Sequence, residues 1–263
     1  MLKKRIIPKL LCVEKTFGNS SKIVLVNTRN FSSTRIIGDP VSQAKIYESQ
    51  ISDELLVLNI FPEINGVSRP FVETVQRLAS ETFMPLTVGG GIWTEEDFEL
   101  LLNSGADKIS INYSAVTKPQ IITAAANKFG SQCVVVSIDH KRDGAGKDRV
   151  YNHHDRSLFT LEPVQWAKEV VERGAGEILL TDVDLDGLET GLNVDLCLRI
   201  AENVSVPVVV SGGCGLAQHF LEGFLFGKAE GVAAGTFFSK KDQNPMQVRS
   251  HVANGSVPIR MEL

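Results

Sequence analysis

Arg5, Glu54, Lys108 and Glu177 each stand at the start of a short apolar run, and in every run alternate residues share one side-chain direction. The shared faces read Arg5–Ile7–Lys9–Leu11, Glu54–Leu56–Leu58, Lys108–Ser110–Asn112 and Glu177–Leu179–Thr181. If these faces point inward, two cations and two anions meet in one layer. That layer is either a salt-bridged plug that keeps water out or a gate for a small molecule, and spacing alone favours the plug. Asp139 closes another such run. Glycine-rich turns follow further runs: Gly89-Gly90-Gly91-Ile92 (with Thr94 placed to cap a helix), Gly212-Gly213-Cys214-Gly215 and Ala234-Gly235-Thr236. Together with Ser110-Ile111-Asn112-Tyr113-Ser114, they expose backbone N–H groups before helices, a setting that suits phosphate. One such turn would be a mere tight turn; two pairs suit a ligand carrying phosphate at both ends.

The elements that must position these residues alternate throughout. Strand runs are expected at Arg5–Cys12, Glu54–Ile60, Leu86–Val88, Lys108–Asn112, Cys133–Asp139, Glu177–Asp182, Val208–Ser211 and Gly231–Ala234. Helical patterns fill the gaps at Val41–Gln50, Phe71–Thr82, Glu95–Ser104, Pro119–Lys128, Pro163–Arg173, Val194–Asn203 and Ala217–Phe226. Eight strand–helix steps in 263 residues predict a single α/β domain over 1–263, a (β/α)8 TIM barrel. An open doubly wound sheet would carry a glycine turn after its first strand, and none follows Cys12. The halves also echo each other: Asp53–Leu58 matches Gly176–Thr181, and Pro85–Gly91 matches Pro207–Gly213, offsets of 123 and 122 residues (53 to 176, 85 to 207). The barrel therefore has two-fold half-barrel pseudo-symmetry. Long connections at Glu14–Arg35 and Lys141–Thr160 follow strands one and five, on the rim where barrels keep their active sites.

Composition removes several classes. With 43% hydrophobic and 22% charged residues the chain is not disordered, and 27 Lys+Arg against 31 Asp+Glu leaves −4, no basic field for nucleic acid. No apolar run reaches the ~18 residues of a membrane span, and the start MLKKRIIPKLL lacks a signal-peptide cleavage pattern. The four cysteines show no close pairing, so a reduced, cytoplasmic protein is expected. Several lone features have bland explanations. His153-His154 read as solvated loop residues rather than metal ligands, and Asp182, Asp184 and Asp186 as a hydrogen-bonded rim. His219 reads as surface and Cys214 as an apolar filler, while His140 either tunes Asp139 or has no chemical duty. No metal and no cofactor are expected.

These residues together resemble the HisF family, the cyclase subunit of imidazole glycerol phosphate synthase. The likeness runs from Lys4–Pro8 through Gly38-Asp39-Pro40, Asp53-Glu54-Leu55, Thr87–Ile92, Gly105–Asn112 and Phe129–Gln132. It continues through Ile138-Asp139, Gly174–Thr181, Asp186-Gly187 and Ser211-Gly212-Gly213 to Ala234-Gly235-Thr236. The resemblance implies a HisH-like glutaminase partner whose ammonia enters through the charged floor, which lifts Arg5, Glu54, Lys108 and Glu177 from plug to gate. It implies Asp107 at the glutaminase interface and Asp139 as a catalytic aspartate. It also implies that a phosphorylated small-molecule substrate is held by Gly90, Gly91, Asn112, Tyr113, Gly187, Gly212, Gly213, Gly235 and Thr236.

The chain departs from the family at the mouth. The first catalytic aspartate is Leu11, which internal symmetry sets opposite Asp139, and leucine transfers no proton. Asn59, Leu188 and bulky Tyr113 are further departures, and Lys9 points into the barrel, where an ammonium requires a partner such as Glu177 or Asp139. The Leu10-Leu11 pair also resembles the WbuZ-like branch, which implies amidination of a nucleotide-linked surface sugar beside an ATP-dependent amidotransferase. Histidine-pathway cyclase and non-catalytic, ammonia-conducting glutaminase activator are the alternatives. Lost acid/base help of ~10²–10⁴-fold leads to the expectation of no meaningful cyclase activity.

Overall fold

A computed structural model describes residues 3–62 and 66–261. Eight parallel strands form the barrel: β1 (Arg5–Phe17), β2 (Leu55–Asn59), β3 (Leu86–Gly89), β4 (Lys108–Ile111), β5 (Val134–Arg142), β6 (Glu177–Asp182), β7 (Val208–Ser211) and β8 (Gly231–Ala234). Each pairs with the next, and β8 closes onto β1 through Arg5–Pro8 against Gly231–Ala234. The outer ring is α1 (Pro40–Ser49), α2 (Arg69–Glu81), α3 (Glu95–Asn103), α4 (Gln120–Phe129), α5 (Pro163–Glu172), α6 (Val194–Ala201), α7 (Ala217–Leu225) and α8 (Pro245–Asn254). The closed α/β barrel expected from the alternation is the observed architecture.

The helices start where the sequence supplies caps. Thr94 and Asp97 form a reciprocal capping box on α3, the role anticipated for Thr94, while Asp39 and Asn193 accept from the first turns of α1 and α6. Each helix buries a stripe at helical spacing, as Phe71, Thr74, Val75 and Leu78 do on α2. Burial on both faces explains the nearly continuous Val/Ile/Leu runs of the strands.

The two long rim connections are hairpins rather than irregular loops. β1 runs on to Phe17 and pairs antiparallel with Ser20–Arg29, which pairs with Ser33–Gly38. Gly18, at φ 61°, takes the left-handed position that the turn requires. β5 runs on to Arg142 and pairs with Asp148–Asn152, while the Asp143 carboxylate accepts from the Ala145 and Lys147 N–H groups, both at 2.9 Å. Local turn chemistry thus lengthens both strands beyond the expected ends at Cys12 and Asp139. A short helix, Tyr113–Thr117, follows β4, and another, Thr236–Lys240, follows β8.

The half-barrel echo is geometric as well. A Cβ on Gly90 would lie 2.2 Å from the Asn59 carbonyl oxygen, and one on Gly212 would lie 2.5 Å from the Asp182 carbonyl oxygen. Asn59 and Asp182 end the equivalent strands β2 and β6. Both glycines are required first by backbone packing at equivalent corners.

Candidate active site

From floor to mouth the barrel interior is layered. At the floor Arg5 joins Glu54 and Glu177, and Lys108 Nζ lies 3.2 Å from Glu54 and 2.7 Å from Glu177, closing the four-charge ring read from the sequence. Thr87 Oγ1 donates to Glu54 at 2.6 Å, a member the sequence reading missed. Burial opposes ionisation of Glu177, but the Arg5 and Lys108 charges override it and hold that carboxyl below its ordinary range. Burial works against the Arg5 charge too, and the two glutamates outweigh it. Asp107 is exposed beside this floor, with one carboxylate oxygen accepting from the Leu86 N–H at 2.8 Å.

Above the floor lies a buried apolar layer of Ile7, Leu56, Val135, Leu179, Val209 and Ala233. Beyond it, the inward faces of β1 and β4–β7 present Lys9 among the hydroxyls of Ser110, Ser137, Thr181 and Ser211. Lys9 is buried; its Nζ donates to Ser211 Oγ at 2.8 Å and lies 3.9 Å from Asp186. Its nearest carboxylate is therefore Asp186, not Glu177 or Asp139. The β6–α6 loop folds back over the mouth because Thr28 of the first hairpin donates to Asp186 at 2.6 Å.

At the mouth is a cavity that brings together Lys9, Leu11, Gly90, Gly91, Asn112, Tyr113 and Asp139. Asp139 is the acid among the described residues that line it. Asn112 donates to Asp139 at 2.7 Å and Ser137 at 3.3 Å. Burial lifts the Asp139 carboxyl from its ordinary 3.8 to about 6, against the pull of Lys9 and both hydrogen bonds. Such a group exchanges a proton near neutrality, which suits a general acid or base. Leu11, in contrast, packs with Val13 and Val26 in a small apolar cluster.

Gly187, Gly212, Gly213, Gly235 and Thr236 lie outside the lining of this cavity. They belong to the loops after β6, β7 and β8, across the barrel from Gly90 and Asn112. A Cβ on Gly187 would lie 2.3 Å from the Thr28 carbonyl oxygen and one on Gly213 2.0 Å from that of Gly191, so both are close-approach positions. The cavity therefore gathers the β3/β4 cradle and leaves the β7/β8 cradle under the first hairpin, where Ser239 bonds Asn27 at 2.9 Å.

The lone features resolve. His153 and His154 are not simply solvated: they line the cavity, pack on each other at 4.4 Å, and His154 packs on Tyr113 at 4.1 Å. His219 is buried rather than on the surface, because its Nδ1 accepts from the Gly215 N–H at 3.0 Å. His140 faces away from Asp139 on the opposite side of β5, with its ring nitrogens 3.3 Å from Asp148 and 3.6 Å from Asp182. Cys214 is buried and its thiol is pushed up by that burial, which suits a filler and not a nucleophile. Asp182 accepts from the Leu185 N–H and from Asn193, and Asp184 from the Arg142 N–H, a hydrogen-bonded rim.

The chain matches the family model described as histidine biosynthesis protein over residues 16–243. It is 48% identical, over the whole of both chains, to the putative imidazole glycerol phosphate synthase subunit hisF2 of Prochlorococcus marinus (strain MIT 9313). It is 44% identical over 261 residues to the imidazole glycerol phosphate synthase subunits HisF of Geobacillus thermodenitrificans (strain NG80-2) and Anoxybacillus flavithermus (strain DSM 21510 / WK1). In both cases that covers 99% of this chain and all of the relative. Among the described residues no helix is long and apolar enough to cross a membrane.

Proposed function

The chain belongs to the HisF family of histidine biosynthesis proteins, and from that membership we propose that it is the ammonia-using synthase subunit of a glutamine amidotransferase. A HisH-type glutaminase docks on the floor beside Asp107. Its ammonia passes the Arg5–Glu54–Lys108–Glu177 ring as a neutral molecule and crosses the apolar layer. It reaches a phosphorylated ligand above Asp139. The chemistry at the mouth serves amidination of a nucleotide-linked surface sugar, beside an ATP-dependent amidotransferase, rather than imidazole ring closure.

The observation that carries this reading is that Asp139 is the one carboxylate among the described residues lining the cavity, with Leu11 at the equivalent position of β1. Ring closure needs protons managed on two sides of the ligand. Asp139 serves one side, and buried Leu11 offers neither donor nor acceptor on the other. The test mixes the purified protein with its glutaminase homologue, measuring complex formation and glutamine turnover, and then assays cyclase activity with ammonium salts. A glutaminase-activating complex without cyclase turnover is the expected result; no complex and no activation overturns the reading.

One observation favours a second reading, the cyclase of histidine biosynthesis. Asp139 at about 6, hydrogen-bonded by Asn112 beside the Gly90-Gly91 cradle, is poised for that reaction too. Ammonia-dependent turnover like that of an ordinary cyclase, with rescue of a strain lacking it, selects this second reading.

A further inference from the structure

The mouth over Gly90 and Gly91 is walled largely by flat rings, with the Lys118 ammonium 6.0 Å from the Trp93 ring but outside the cavity lining. Tyr113 opens the short helix after β4, and its ring lies 4.1 Å from His154, 5.5 Å from Trp93 and 6.2 Å from His153. All four rings line the cavity, and Phe31 and Tyr151, edge to face at 6.2 Å, line it from the two hairpins. Burial, helped by His154, pushes the His153 imidazole down to about 4, so it is uncharged at neutral pH. The Asn112 amide is committed to Asp139. What the cluster presents to the cavity is mainly ring surface, which suits a flat π-face. Lys9 and Arg156 are the cations among the described lining residues, and they suit an anionic group on the same ligand.

We propose that this end of the cavity holds a nucleobase, stacked on the Trp93–Tyr113–His154 cluster, where a phosphate group was expected from the glycine turn. The inference rests on the reading that the cavity is the substrate site, and it specifies the substrate as a nucleotide-linked molecule bound by its base. The cluster is built from three separate connections, the β3–α3 turn, the start of the β4 helix and the second hairpin. Each ring is therefore positioned by an independent piece of backbone.

Trp93 reports on the site directly, because the chain has two tryptophans and the other, Trp166, is buried at 2% exposure on α5. Uridine monophosphate titrated into the full chain should quench tryptophan fluorescence saturably, and Trp93→Phe should abolish the change while retaining the folded circular-dichroism spectrum. Tyr113→Thr should weaken the apparent affinity about tenfold, the scale of one lost base–aromatic stack. Glycerol phosphate, which can use only the Lys9 and Arg156 cations, should not quench and should compete far more weakly than the nucleotide. The proposal is overturned if glycerol phosphate competes as well as the nucleotide. It is equally overturned if N-acetylglucosamine alone does so, or if no saturable quenching occurs. Glutaminase activation is measured separately. Activation without nucleotide binding removes this inference alone, and nucleotide binding without activation removes the amidotransferase reading alone.

Discussion

The two halves of the barrel agree at the floor and disagree at the mouth. Glu54, immediately before β2, and Glu177, the first residue of β6, are equivalents, and both accept from Arg5 and Lys108. Near the rim, Asp139 and Leu11 are equivalents on β5 and β1, as are Ser137 and Lys9, and Asn112 and Gly235. The seam between β4 and β5 therefore holds a carboxylate supported by two hydrogen bonds. The equivalent seam between β8 and β1 offers a leucine in an apolar cluster, a lysine tied to Ser211, and a glycine with no side chain to donate. Closing a barrel floor with paired charges needs the same thing from each half. Chemistry on an asymmetric ligand needs different things, and on the function proposed above proton handling falls to the β4/β5 seam.

The largest expected effect tests that division of labour. Asp139→Asn should cut ammonia-dependent product formation by ~10²–10⁴-fold, the usual worth of a positioned acid or base. Glutaminase activation should survive, since the floor ring lies at the opposite end of the strands. Equal losses in both assays would mean the two ends do not act separately.

The same substitution has a stability signature. Asp139 titrates at about 6 in the fold, above the ordinary 3.8 of an open carboxylate. Between those values the folded chain holds a proton that the unfolded chain has released, so stability falls as pH rises from about 4 to about 6 and then levels. The buried charge costs roughly 3 kcal/mol at pH 7, from about two pKa units at ~1.4 kcal/mol each. Asp139→Asn should therefore be the more stable protein at pH 7, with the difference vanishing near pH 4. Urea unfolding across that range measures it, and a constant difference would remove the assignment.

What could be read from residues alone divides along the same line. The floor was legible because each charge begins an alternating strand, so period two and a closed barrel bring all four together. Asp139 and Leu11 were legible from the internal echo. The aromatic wall was not, because Trp93, Tyr113 and His153-His154 come from three connections whose meeting is a tertiary fact. His219 was misjudged because its partner is a backbone N–H in a turn, invisible to helix periodicity. The hairpins escaped because charged runs such as Lys141–Asp143 look like loop until Asp143 is seen organising its own turn.

A smaller effect should follow from disturbing the floor. Lys108→Met leaves Glu54 and Glu177 with Arg5 as their shared cation, and the side chain's length is kept. The complex should still form, but glutamine hydrolysed per ammonia used should rise severalfold. An unchanged ratio in a folded variant would return the ring to a plain plug.

The smallest change is expected where the halves differ most. Leu11→Asp places a carboxylate at the position equivalent to Asp139, but its surroundings are not equivalent. No amide stands where Asn112 does, since Gly235 occupies that place, and the hydroxyl equivalent to Ser137 is the ammonium of Lys9. The new group would sit against Val13 and Val26, where burial disfavours its charge. Lys9 opposes that by favouring ionisation, as it does for Asp139. The variant should fold with reduced stability and gain a few-fold in ammonia-driven cyclase turnover over an undetectable or trace background, with Leu11→Asn gaining nothing. A full return of cyclase activity would mean that the single missing carboxylate separates this barrel from a working cyclase, and that the altered surroundings count for little. No gain at all, with the carboxylate shown to titrate, would place the lesion in ligand binding, at the aromatic wall around Tyr113.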